Sequence, residues 1–206
     1  MWLNILIAIL VAYFLGNLNG AVSISMTLHD DVRAHGSGNA GLTNFIRTYG
    51  GRKAFGVIAI DAGKAVLACL VGRLLLEPFG YGLEGAAVCG LAVMLGHDFP
   101  ALLEFKGGKG YFSSMFIALS IDWRIGLIVP TVFAVFYLTT RYVSLSSILA
   151  SITFSICFCF LHYERPVVMI CGAAMGLLTI AMHHQNIARL LKGQERRTNL
   201  FKKDKE

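Results

Sequence analysis

The sequence predicts an all-α integral membrane protein: a compact bundle of about seven transmembrane helices, some short, with glycine-rich loops on the cytoplasmic side. Three observations carry this expectation. Of the 206 residues, 56% are hydrophobic and only 15% charged, with a mean hydropathy of +0.65. Soluble domains carry about a quarter charged residues, so too few charges remain to cover a water-facing surface and most of it must face lipid. Turn and charged residues also cut the apolar text into segments near the ~20 residues a helix needs to cross a bilayer. Lastly, Lys and Arg gather on alternate loops. A single domain, 1–206, accommodates all of this and ends in a basic tail over about 188–206.

The first span is expected over 3–25; no basic residues precede it, so it reads as a retained helix and not a cleaved leader. A polar stretch from His29 to Lys53 follows. Span two, 54–76, stops at Glu77-Pro78, and span three, 83–103, leads into the segment Phe105 to Gly110. A short helix over 111–121 precedes Asp122-Trp123-Arg124. Span five, 125–140, stops at Arg141; span six, 145–162, ends in His162-Tyr163-Glu164-Arg165. Pro166 suits the first turn of span seven, 167–184. Cys69, Cys89, Cys157, Cys159 and Cys171 all sit in apolar stretches without ligand spacing, so they read as packing residues; no disulfide framework and no metal site is expected.

The sidedness comes from the cations. Arg33, Arg47, Arg52, Lys53, Lys106, Lys109, Arg141 and the tail residues Arg189, Lys192, Arg196, Arg197, Lys202, Lys203 and Lys205 share one side, 14 of the 18 basic residues. The other side has Arg73, Arg124 and Arg165. The positive-inside bias therefore makes these loops and the C-terminus cytoplasmic, and seven spans put the N-terminus outside.

Three polar segments fall on that cytoplasmic face. Gly36-Ser37-Gly38-Asn39-Ala40-Gly41-Leu42-Thr43-Asn44 has glycines that let successive N–H groups form an anion-binding concavity, and Arg47 adds a fork suited to phosphate. An ordinary flexible loop explains that composition equally well. Phe105-Lys106-Gly107-Gly108-Lys109-Gly110 places one ammonium among glycines at a helix start, which suits a phosphate, although it is no P-loop. The third element joins Arg141-Tyr142-Val143-Ser144 to His183-His184-Gln185-Asn186, where His183 and Asn186 share a helical face. Inside span two, Asp61 and Lys64 stand one turn apart and can pair; bracing of the bundle and contact with substrate are both open.

At these residues the chain resembles the bacterial acyl-phosphate:glycerol-3-phosphate acyltransferases, the PlsY family. The likeness covers nearly the whole chain. It rests on Gly36-Ser37-Gly38-Asn39 with Thr43-Asn44-x-x-Arg47, on Gly96-His97-x-x-Pro100 leading to Phe105-Lys106-Gly107-Gly108-Lys109-Gly110, on Tyr142-Val143-Ser144-Leu145, and on His183-x-x-Asn186-Ile187-x-Arg189-Leu190-Leu191-x-Gly193-x-Glu195. It implies a seven-helix enzyme of the bacterial cell membrane that acylates glycerol 3-phosphate from a long-chain acyl-phosphate, giving lysophosphatidic acid for phospholipid biosynthesis. The resemblance implies Ser37, Arg47, Lys109, Ser144, His183 and Asn186 as catalytic residues. Gly36, Gly38, Asn39, Thr43, Asn44, Gly107, Gly108 and Gly110 would bind substrate or phosphate. Arg47 and Lys109 would meet phosphate charge, Ser37 the donor phosphate or carbonyl, and His183 with Asn186 the glycerol 3-phosphate. The expected partners are the two substrates and the bilayer, with no nucleic acid and no cofactor.

An acyl-phosphate is a mixed anhydride with a good leaving group, so the glycerol hydroxyl can attack without a protein nucleophile. No His-x4-Asp pair occurs. Two departures stand out: Tyr111-Phe112-Ser113 occupy positions where the family has small residues and threonine, and Leu42 replaces an alanine. Rings beside the phosphate loop narrow the pocket, and a diverged paralogue with an altered acceptor or low activity is the alternative. A phosphorylated-metabolite transporter is the other; it wants polar groups through the bilayer depth, whereas here they concentrate on one face.

Overall fold

A computed structural model gives the structure of residues 1–198, and these form ten α-helices. Lys202, Lys203 and Lys205 of the expected tail lie outside the described residues. In order the helices are α1 (Trp2–Asn17), α2 (Gly20–Thr27), α3 (Leu42–Tyr49), α4 (Ala54–Leu76), α5 (Gly82–Asp98), α6 (Tyr111–Ile121), α7 (Trp123–Thr140), α8 (Val143–Leu161), α9 (Pro166–Met182) and α10 (His184–Leu191). Four elements, built on α4, α5, α7 and α8, are long and apolar enough to cross a membrane, and the bent pairs α1–α2 and α9–α10 raise that to six. The protein is a multi-pass membrane bundle.

Each apolar helix shows large residues to lipid and small ones to its neighbours. On α1, Leu3, Leu6, Leu10 and Phe14 are exposed at helical spacing, while Ala8, Ala12 and Gly16 are buried. Lipid tails are as apolar as leucine, so close packing of small residues holds such helices together. Gly72 of α4 thus meets Gly85 of α5 backbone to backbone, and Gly172 and Gly176 of α9 accept Phe158 and Ser155 of α8.

The expected span 3–25 is broken. Between α1 and α2 the chain bends by 43° at Leu18–Asn19, which exposes carbonyls at one helix end and N–H groups at the other. Within a membrane both sets need protein partners. Lys64 Nζ donates to Leu18 O at 2.8 Å and Gly16 O at 3.3 Å; Gly20 N donates to Asp61 Oδ1 at 3.1 Å. The two side chains themselves pair at 2.9 Å. The ammonium thus sits at the negative end of α1 and the carboxylate at the positive end of α2. Asn19 caps α2 through Val22 N. The Asp61–Lys64 pair therefore braces the bundle.

α6, expected as a short helix over 111–121, has 11 residues and spans only about 16 Å, roughly half a bilayer core. It pairs antiparallel with α7: Leu119 packs on Gly126, and Tyr111 stacks on Phe133. α7 then continues seven residues past Phe133 to Thr140, about 10 Å further at helical rise. The glycine segment before α6 is therefore sunk below the end of α7, and the space above it becomes a cavity.

Candidate active site

A second, smaller core fixes the first glycine loop. Phe45 of α3 packs with Ala21, Val22, Val32, Ala54 and Val57. With Phe45 turned inward, Thr43 and Arg47, four residues apart, share the helix face that lines the cavity. Asn44 is 2% exposed and holds the loop in shape: it accepts from Ser37 N at 3.0 Å and donates to Val32 O, His35 O and Asn39 O at 3.0–3.2 Å. Gly36 runs at φ +59°, and a Cβ there would overlap Asn44 Oδ1, so glycine is needed for both reasons.

The second glycine loop folds back on the end of α5. Gly108 N donates to His97 O at 3.0 Å, and a Cβ on Gly107 would meet His97 O and Asp98 O. Backbone lies on backbone here, and this brings Lys109 into the lining of the cavity.

The cavity has a volume of about 570 Å³. All six residues expected to be catalytic line it: Ser37, Arg47, Lys109, Ser144, His183 and Asn186. Of the expected binding residues, Gly36, Asn39, Thr43, Asn44 and Gly110 also line it, whereas Gly38, Gly107 and Gly108 do not. These last shape the loops from behind. Ser144 enters from the first turn of α8, His183 from the 56° break between α9 and α10, and Asn186 from the first turn of α10.

Glu195, which sequence reasoning left without a role, ties the mouth together. It accepts from Ser144 Oγ, Asn186 Nδ2 and Arg189 Nε, each at 2.7 Å. Burial opposes ionisation of this carboxyl, but those three donors outweigh it and hold Glu195 below the usual carboxylate range. Asn186 in turn accepts from Lys109 Nζ, and Arg47 donates to Thr198 Oγ1. Arg189 was legible as a residue three beyond Asn186 on the same helical face; Glu195 follows the helix end, where periodicity carries no signal.

Lys109 is pulled down to about 8, first by burial and then by the positive charge of Arg189, with Glu195 opposing and Arg47 adding to the fall. The His183 ring places Nδ1 2.7 Å from Thr179 O. A carbonyl only accepts, so Nδ1 carries the proton and Nε2 offers a lone pair.

Apolar side chains also line the cavity: Leu42, Ile46, Phe112, Met115, Pro130 and Phe133, with Tyr111. Tyr111 and Phe112, the two rings foreseen beside the phosphate loop, are both part of this lining. The site therefore joins the cations Arg47, Lys109, Arg189 and Arg196 to hydrocarbon side chains in one cavity, as a molecule with a phosphate head and an acyl tail requires.

Comparisons with known proteins agree with this reading. Residues 6–193 match the glycerol-3-phosphate acyltransferase family. A glycerol-3-phosphate acyltransferase of Thermoanaerobacter sp. (strain X514) is 36% identical over 187 residues, covering 90% of this chain and 91% of the relative. The crystal structure of PlsY, an integral membrane glycerol 3-phosphate acyltransferase, in its glycerol 3-phosphate form superposes with a TM-score of 0.86 at 31% identity, covering 96% of this chain and 99% of that one. Its lysophosphatidic acid form gives 0.82, also at 31% identity, covering 95% and 96%. With a fold, a cavity and a sequence that all agree, the chain belongs to the glycerol-3-phosphate acyltransferase family.

Proposed function

We propose that this cavity is where a long-chain acyl group passes from acyl-phosphate to the sn-1 hydroxyl of glycerol 3-phosphate, giving lysophosphatidic acid and phosphate. The observation that carries the reading is one cavity lined by both cations and hydrocarbon side chains. The solved relatives support it, since PlsY has been crystallised in glycerol 3-phosphate and lysophosphatidic acid forms.

Arg47, Lys109 and Arg189 hold the phosphate groups, exchanging their present protein partners for phosphate oxygens. The apolar side chains take the acyl chain. His183 Nε2 accepts from the glycerol hydroxyl and orients it toward the acyl carbon. The hydroxyl oxygen bonds to that carbon, the carbon–oxygen bond to phosphate breaks, and the departing phosphate takes the proton. No protein nucleophile or cofactor is required. Positioning and charge supply the rate. The motif loops and C-terminal segment face the cytoplasm of a bacterial cell membrane, a reading supported by 14 of 18 basic residues on one side; with α6 and its sunken loop as the seventh crossing, the N-terminus lies outside.

The test is purified, detergent-solubilised protein with palmitoyl-phosphate and glycerol 3-phosphate, beside Lys109→Ala. The parent forms lysophosphatidic acid and the variant is slower by at least ~10²-fold, the scale of losing a fixed electrostatic partner. A folded parent that forms no product, or a variant as fast as the parent, overturns the reading.

A further inference from the structure

His97 takes no part in the roles assigned so far, although it lines the cavity and its side chain is only 6% exposed. Its Nδ1 lies 2.7 Å from Lys64 Nζ. That ammonium also contacts Asp61 Oδ1 at 2.9 Å and two backbone carbonyls, so every partner of Lys64 is an acceptor and Nδ1 accepts as well. The neutral ring then carries its proton on Nε2. Nε2 has no hydrogen-bond partner among the described residues, and it abuts the Cα of Gly108, where a Cβ would overlap it. Glycine at 108 is what leaves this nitrogen uncovered beneath the loop. The ring is thus a donor locked from behind by a buried cation, in a side chain that lines the cavity.

We propose that His97 is a further catalytic residue, donating its Nε2–H to the acyl carbonyl oxygen as negative charge develops there during transfer. This rests on the acyl-transfer reading above. The oxygen is a carbonyl and not a phosphate because of what surrounds it. Asp61 also lines the cavity, with Oδ1 3.8 Å from His97 Nδ1, and disfavours a dianion beside the ring. Lys109 Nζ and Arg189, cations that match phosphate, are turned to Asn186 and Glu195. Lys64 behind Nδ1 polarises the ring and strengthens Nε2–H as a donor, which suits a group whose charge is largest in the transition state. His183 has the opposite tautomer, so the two histidines serve the two reacting oxygens: one accepts from the hydroxyl, the other donates to the carbonyl.

His97→Asn keeps an acceptor for Lys64 at the Nδ1 position and deletes the Nε2 donor; His97→Gln supplies an amide donor near the Nε2 position. Kinetics with palmitoyl-phosphate and varied glycerol 3-phosphate are run on the parent and both variants, with melting curves in parallel. Deletion of one oxyanion donor lowers kcat by ~10²–10³-fold, so the Asn variant loses about that much while KM for glycerol 3-phosphate stays within about twofold. The Gln variant regains at least about tenfold. Asn and parent of equal kcat, Asn and Gln equally slow, or a loss carried by KM each overturn the proposal. If the Asn protein does not fold, the Gln variant decides: kcat within about 100-fold of the parent upholds the donor, and a larger loss in folded protein overturns it. A parent that makes no product fails the acyl-transfer reading itself, which these outcomes keep apart.

Discussion

At the floor of the cavity, Asp61, Lys64 and His97 bind one another and the backbone where α1 breaks into α2, whereas at the mouth Lys109, Asn186, Ser144, Arg189 and Glu195 bind side chain to side chain. The difference is one of exchangeability. Backbone carbonyls such as Gly16 O and Leu18 O cannot swing away, and any group that leaves them exposes a polar atom inside the membrane. The mouth contacts are charge-assisted bonds between movable side chains, and phosphate oxygens replace carboxylate and amide oxygens at little cost. On the proposed reading the floor is built to stay and the mouth to be remade at each turnover.

The largest effect separating the two regions is on stability. Lys64→Ala strips Asp61 of its counter-ion and leaves Leu18 O and Gly16 O without their donor. Breaking a buried pair from one side costs about 3–5 kcal/mol, so the melting temperature in detergent falls well below that of the parent. The double variant Lys64→Ala/Asp61→Ala loses less, because no lone charge remains. Unchanged melting of Lys64→Ala would show that the floor is not the brace described.

How the floor and mouth were read from the sequence follows the same division. The apolar segments, the short helix at 111–121 and the inward cations were visible because length, hydropathy and charge bias are set by the bilayer itself. The break in the first span was not visible. Span 3–25 has no proline at its bend, and the break at Leu18–Asn19 is held open by Lys64 and Asp61 more than 40 residues away. The residues of the loops were legible as types, and all six expected to be catalytic came together around one cavity. Their division of labour was not, since Asn44 and the glycines at 107 and 108 act behind the surface, holding backbone. Glu195 and His97 escaped because their importance lies in partners distant in sequence: Ser144 is 51 residues from Glu195, and Lys64 is 33 from His97.

A smaller effect reads the mouth through pH. Lys109 is brought down to about 8 by burial and by Arg189, and in the proposed role it binds phosphate only as the cation. Its protonated fraction is complete below that value and falls as pH rises through it. The parent's kcat/KM for glycerol 3-phosphate is therefore flat near pH 6–7 and declines toward about tenfold per unit above pH ~8. Lys109→Arg, whatever its absolute rate, stays flat across that window because a guanidinium remains charged. A parent profile without a decline up to pH ~9.5 would place the phosphate elsewhere.

Direct transfer, with phosphate leaving as the hydroxyl attacks, is tested most sharply by withholding the acceptor. Purified protein is mixed with palmitoyl-phosphate alone, and its intact mass and the released phosphate are followed. The account predicts an unmodified chain and no burst of phosphate, with lysophosphatidic acid and phosphate appearing one for one only after glycerol 3-phosphate is added. A palmitoyl adduct on the chain, at Ser37 or Ser144 for example, together with a stoichiometric phosphate burst, would contradict it and place a covalent intermediate in the cavity.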